Sequence, residues 1–155
     1  MIFKYEEDKE YFLELLGDFY NELFFDFRLP NIKRKEFKKN RNKFYENLKK
    51  NFGEYCQLKY HNICDKTSGF AIDHLIPLSS NELNKKLRKI KSTDKKHKVV
   101  SESYGSNEMC NLIIACNKCN NHKKHRIIDK KRLDRIFKVR NQIPSKLSVG
   151  GSNPS

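Results

Sequence analysis

The sequence predicts an α+β fold: a small ββα core, preceded by a pair of helices and closed by a C-terminal helix. Three observations lead there. Apolar residues recur at three- and four-residue steps through residues 6–24, 32–51 and 129–140, the pattern of helices with one buried face. Two short apolar runs, at 70–74 and 110–115, have the length of strands. The second runs straight into Cys116-x-x-Cys119, and a strand that hands two thiolates to the start of a helix is a good way to pin backbone with zinc.

Length sets one domain for 155 residues. Its parts are a helical extension over 1–53, a core over 54–128 with a basic insert at 79–107, and a C-terminal helix with a flexible tail over 129–155. Charged residues make up 34% and hydrophobic ones 37%, so the core is small, and with Trp absent the 11 Phe and 7 Tyr supply its bulk.

In the first helical segment Phe12, Leu15, Leu16, Phe19 and Leu23 share a face, and Glu6, Glu7 and Asp8 suit a helix N-terminus. Pro30 is expected to end that pattern. In the second, Phe37, Phe44, Tyr45, Leu48 and Phe52 lie on one side. Lys33, Arg34, Lys35, Lys38, Lys39, Arg41 and Lys43 crowd the other, and Gly53 stops the helix. Residues 54–64 read as extended or hairpin structure, and 65–69 as a turn. Phe70 to His74 is a strand. In the insert, a short helix capped by Ser79 or Ser80 opens a run rich in basic residues: Lys85, Lys86, Arg88, Lys89, Lys91, Lys95, Lys96 and Lys98. Gly105-Ser106-Asn107 is a turn before the second strand. Leu133, Ile136 and Phe137 form the stripe of the closing helix.

Charge divides unevenly. Residues 1–30 hold three Lys/Arg against eight Asp/Glu, a net −5, which leaves +19 on the rest of a chain whose total is +14. A basic body with an acidic cap points to a polyanionic partner. The N-terminus has no apolar run of secretory length, and no stretch approaches the roughly 18 apolar residues of a membrane span. Five cysteines, an odd number, then predict a reducing cytoplasmic compartment, in which paired cysteines bind metal rather than form disulfides.

Cys116 and Cys119 with Cys56 and Cys64 make a candidate four-thiolate site, closed and therefore structural, so the ββα core is zinc-stapled. The seven residues between Cys56 and Cys64 exceed the usual knuckle, and His61 competes as a ligand. Cys110 is expected to be a core thiol. Asp73 and His74 are adjacent, and neighbours on a strand face opposite ways unless the strand bends or ends there. Asn120 opens the helix after the last cysteine. A carboxylate from Asp73 and an amide oxygen from Asn120 leave several positions open for water and phosphate on Mg²⁺.

The order Cys…Cys…Asp73-His74-Leu-Ile-Pro…Asn111-Leu…Cys116-x-x-Cys119-Asn120-x-x-Lys123 resembles the HNH endonuclease family, the zinc-bound branch of the ββα-metal (His-Me finger) nucleases, over about residues 55–125. The resemblance implies the following roles. His74 is the general base. Asp73 and Asn120 hold one catalytic divalent ion, Mg or Mn. Asn111 braces the loop that carries the base, and Lys123 is a basic residue near the scissile phosphate. His122 has no fixed counterpart. The implied activity is metal-dependent hydrolysis of phosphodiester bonds in double-stranded DNA to 5′-phosphate and 3′-hydroxyl ends, in a restriction or phage-defence setting. A single active site must pair as a homodimer, or act twice, to cut both strands. The wide cysteine spacing and the long insert depart from the family pattern, and the insert suggests a DNA-reading element of its own. Two alternatives are a non-catalytic zinc-containing nucleic-acid-binding module and a protein-binding zinc scaffold. The first needs the cysteines and the basic surface but not Asp73, His74 and Asn120; the +19 body argues against the second.

Overall fold

A computed structural model describes residues 3–94, 96, 97, 99 and 102–142. Among them are five α-helices and one two-stranded antiparallel sheet, an α+β arrangement. The helices are α1 (Glu6–Leu16), α2 (Pro30–Phe52), α3 (Asn81–Leu87), α4 (Asn117–Lys123) and α5 (Lys130–Gln142). The strands are β1 (Phe70–His74) and β2 (Leu112–Cys116), paired from Phe70↔Cys116 to His74↔Leu112.

A two-stranded sheet is marginal by itself, and here both faces are covered. Leu112, Ile114 and Ile72 pack against Leu48 and Phe52 of α2, with Phe37 and Phe44 alongside. Ile113 and Ala115, which alternate with them, face a larger cluster containing Phe12, Leu16, Phe24, Phe25, Leu133, Ile136 and Phe137. The expected stripe of α5 is thus its buried face.

The first helix is shorter than its periodicity predicts. It stops at Gly17, whose φ of 54° a side chain rarely adopts. Two 3₁₀ turns, Gly17–Phe19 and Glu22–Phe24, follow in place of the expected helix to residue 24. Leu23, read as part of the apolar stripe, is 49% exposed. Pro30 does not close this segment; it opens α2 at the first helical position, where its missing N–H costs nothing. Gly53 ends α2 as expected, at φ 87°. Lys33 is not on the solvated basic face: it is 0% exposed, and its amine donates to the carbonyls of Asp26 (2.5 Å) and Gly105 (2.7 Å).

Residues 54–64 form bends and a turn at 61–63 rather than a hairpin, with Lys59 and Asn62 at positive φ. The second strand starts at Leu112, after a 3₁₀ turn over Met109–Asn111. Ser80 caps α3 by accepting from the Leu83 N–H (3.1 Å). The insert is tied down on the acidic helix: buried Asp8 accepts from Arg88 and from the Tyr104 hydroxyl. Lys85, counted with the basic run, is buried and donates to the carbonyl of Asp94 (2.6 Å). Gly105 is no simple surface turn. It bridges Phe25 and lies so close under the 76–77 backbone that a Cβ there would meet the Ile76 carbonyl oxygen at 1.9 Å. Arg140 of α5 is buried, and among the described residues no carboxylate pairs with it. It donates to Gln57 Oε1 (3.1 Å) and the Met109 carbonyl (3.2 Å), and also to the carbonyl of Leu112. Lys95, Lys98, Pro144 and the expected flexible tail lie outside the described residues.

Candidate active site

Two adjoining features occupy the junction of β1, β2 and α4. The first is the cysteine cluster. The Sγ atoms of Cys56, Cys64, Cys116 and Cys119 lie within 4.8 Å of one another, and Cys64 and Cys116 are 3.9 Å apart. A tetrahedron of thiolates around zinc at 2.3 Å has an edge of about 3.8 Å. The cluster is therefore a candidate metal site of a size consistent with structural zinc. His61 lies exposed and outside this group. The wide spacing is accommodated by the turns: Ile63 and Cys64 both donate from their backbone to the Tyr60 carbonyl (3.2 and 3.0 Å), curling Cys64 back towards Cys56.

Backbone N–H groups point at three of the sulfurs, each at 3.4 Å: Lys59 to Cys56, Tyr60 to Cys119, and Asp65 and Cys119 to Cys116. Such donors favour thiolate over thiol. Burial opposes ionisation of Cys116, but the N–H groups of Asp65 and Cys119, together with the Cys119 and Cys56 thiols, outweigh it and lower its pKa to about 6, whereas burial first of all pushes Cys64 and Cys119 up. Cys116 is also the N-cap of α4, its Sγ standing in for the usual oxygen. Cys110 is half-buried beside the core, its pKa pushed up to about 12 by burial, as suits a packing thiol.

The second feature is a cavity of about 600 Å³ lined in part by Arg34, Asp73, His74, Asn120, Lys123 and His125. Asp73 and His74 both reach it because β1 ends at His74. Burial pushes the Asp73 carboxyl above its usual range, with Lys123 pulling the other way. The Lys123 ammonium, 1% exposed, lies 2.8 Å from Asp73 Oδ2 and donates to the His74 carbonyl (3.0 Å). The contact with Oδ2 is an ion pair, and among the described residues no other donor reaches this buried oxygen. The Asn120 amide has no hydrogen-bond partner among the described residues and lines the same cavity. Asp73 and Asn120 thus bring a carboxylate and an amide oxygen to one cavity wall, the donor types that a hard divalent cation takes.

His74 is the most constrained member of the site. Its Nε2 lies 2.8 Å from Asn107 Oδ1 and its ring packs on Phe37, centroids 4.8 Å apart. Burial, reinforced by the nearby Lys123 and Lys33 charges, lowers its pKa to about 4, against the pull of Asn107. The imidazole is neutral at pH 7. Asn111, fully buried, fastens the segment after it. Asn111 Oδ1 accepts from the Ile76 N–H (2.8 Å), and Nδ2 donates to the carbonyls of Ile76 (3.0 Å) and Ser106 (2.8 Å).

The sequence-derived residues thus fall into two adjacent groups: the four cysteines in one, and Asp73, His74, Asn120 and Lys123 around the cavity, with Asn111 behind it. His122 packs edge-on against Tyr60 (centroids 4.8 Å apart) and is not among the lining residues. Sequence reasoning did not single out Arg34, Asn107 or His125. Arg34 was one of seven basic residues on a helix, and only its bond to Ser79 Oγ (2.5 Å) and its place on the cavity wall set it apart. Asn107 sat in what read as a turn. Comparison with protein-family models, curated proteins and solved structures gives no match to this chain.

Proposed function

We propose that the protein is a metal-dependent DNA endonuclease of the zinc-bound HNH type. The observation that carries this reading is the meeting of Asp73, His74 and Asn120 on one cavity beside four clustered cysteines. In this reading the thiolates hold zinc as a staple between the 56–64 turns and the start of α4. Asp73 and Asn120 hold the catalytic cation, Mg²⁺ or Mn²⁺. When bound, that cation neutralises charge on the phosphoryl oxygens and stabilises the leaving oxygen, an effect of several kcal/mol.

The chain's own residues do the remainder. His74, neutral, accepts a proton from water as the water oxygen bonds to phosphorus. The bond from phosphorus to the 3′-oxygen breaks, and that oxygen takes a proton from solvent, leaving 5′-phosphate and 3′-hydroxyl ends. Because Lys123 is engaged by Asp73 and the His74 carbonyl, it sets the position and charge of the carboxylate. Arg34 and Lys124, exposed on the cavity wall, are the cations facing a phosphate. The exposed side of α2, about 34 Å long for 23 residues, carries Lys35, Lys38, Lys39, Arg41 and Lys43 away from the cavity as a track for the DNA backbone.

The ion pair of Lys123 with Asp73 favours a second reading, in which the ammonium does the work of the cation and the protein binds nucleic acid through its zinc-stapled scaffold without cutting it. One experiment separates the two. Purified protein is incubated with supercoiled plasmid and Mg²⁺ or Mn²⁺, alongside His74→Ala. The nuclease reading expects cation-dependent nicking, abolished in His74→Ala while DNA binding persists. Binding without nicking under either cation selects the second reading.

A further inference from the structure

We infer that Asn107 is the positioning residue of His74, and that it transmits to the imidazole an orientation fixed by the N-terminal helix α2. This rests on the nuclease reading for its catalytic consequence but not for its geometry. The Asn107 amide nitrogen donates to the Lys33 carbonyl (3.0 Å) and to Glu36 Oε1 (3.2 Å). Both partners are acceptors, so the amide can be oriented only one way. Its oxygen therefore faces His74 Nε2 at 2.8 Å. That oxygen can only accept, so Nε2 must carry the ring proton, and Nδ1 keeps the free lone pair.

The relay is held at its far end too. Arg28 grips Glu36 through both carboxylate oxygens (3.1 Å each), and Lys33 ties α2 to the Gly105 carbonyl two residues before Asn107. Asn107 itself is 7% exposed, and its bond to the Lys33 carbonyl is buried. The Phe37 ring lies against the imidazole, so the same helix supplies both the apolar wall and, through Asn107, the polar anchor. A ring anchored at Nε2 presents Nδ1 as its sole basic nitrogen, and a base displaced by about 1 Å loses on the order of 100-fold in rate.

The test reads the ring directly. In full-length protein labelled with ¹⁵N at histidine, long-range ¹H–¹⁵N correlation spectra at pH 7 are expected to show His74 Nε2 protonated and protected from exchange, with Nδ1 unprotonated. Asn107→Leu removes the acceptor and should lose that protection, leaving exchange-averaged ring signals. Asn107→Asp keeps an acceptor oxygen and should retain Nε2–H. On plasmid DNA with Mg²⁺, Asn107→Leu should lower kcat by about 100-fold with KM little changed, and Asn107→Asp should recover part of it. A parent spectrum with the proton on Nδ1 overturns the proposal whether or not either variant folds. So do ring signals in a folded Asn107→Leu that match the parent. If the parent ring behaves as expected and no DNA is nicked, the nuclease reading fails and the positioning role stands.

Discussion

Replacing Asn111 with alanine removes three buried hydrogen bonds at once and leaves the Ile76 N–H, the Ile76 carbonyl and the Ser106 carbonyl without their partner. Each main-chain group orphaned in a dry site costs about 1–3 kcal/mol, and water entering the space left by the amide recovers part of that, so a loss of about 3–5 kcal/mol is expected. Domains are stable by only about 5–15 kcal/mol, so the variant should be close to the edge of folding. Urea denaturation with zinc present is the assay. With a slope of about 2 kcal/mol per molar, the midpoint should fall by about 1.5–2.5 M at unchanged slope. Asn111→Asp keeps the acceptor for the Ile76 N–H but loses both donors, and should fall in between. Ile76 is two residues beyond His74, so in the nuclease reading nicking should weaken in variants that remain folded. A midpoint shift below about 0.5 M in Asn111→Ala, with the slope unchanged, would refute the idea that this side chain locks the segment after His74.

Other expectations concern the staple, the buried amine and the basic track. Cys116→Ser should release zinc and lower the melting temperature, because a structural metal contributes its binding energy to folding; an unchanged melting curve and zinc content would rule the staple out. Burial lowers the Lys33 pKa from 10.5 to about 8. Between those values the unfolded chain holds more protons than the folded one, so stability rises with pH across about 8–10.5, by at most about 3 kcal/mol. Denaturation of the parent and of Lys33→Met across that range should differ in slope accordingly; parallel profiles would count against a buried charged amine. If α2 tracks the DNA backbone through about six phosphate contacts, affinity should fall about 1,000-fold between 50 and 200 mM salt. A weak salt response would place the contact elsewhere.

Much of this was legible in the residues, for identifiable reasons. The strands and the α5 stripe were visible because each buries a contiguous or periodic apolar set. The cysteine set was visible because thiolates at such spacing have few other uses. What escaped depended on conformation at single residues or on contacts remote in sequence. Gly17 ends a periodic helix early because its backbone turns to positive φ, which no count of leucines reveals. Pro30 suits both the end of one element and the beginning of the next, and only the chain direction around it decides. Lys33 carries the same charge as its neighbours, yet it points inward because two carbonyls wait there, one of them 72 residues away. Asn107 and Arg140 serve main-chain groups on other elements, and nothing in their own vicinity announces those partners.

The larger apolar cluster draws on Phe12, Leu16, Phe24 and Phe25 together with Cys56, Cys116 and Cys119, and on Leu133 and Phe137 from the far end. Residues 54–128 are therefore not a portable cassette. Excised and expressed alone, they would carry their cysteines and their histidine into solution with the covering aromatic layer stripped off. Any attempt to graft this centre onto another scaffold has to bring both flanks with it.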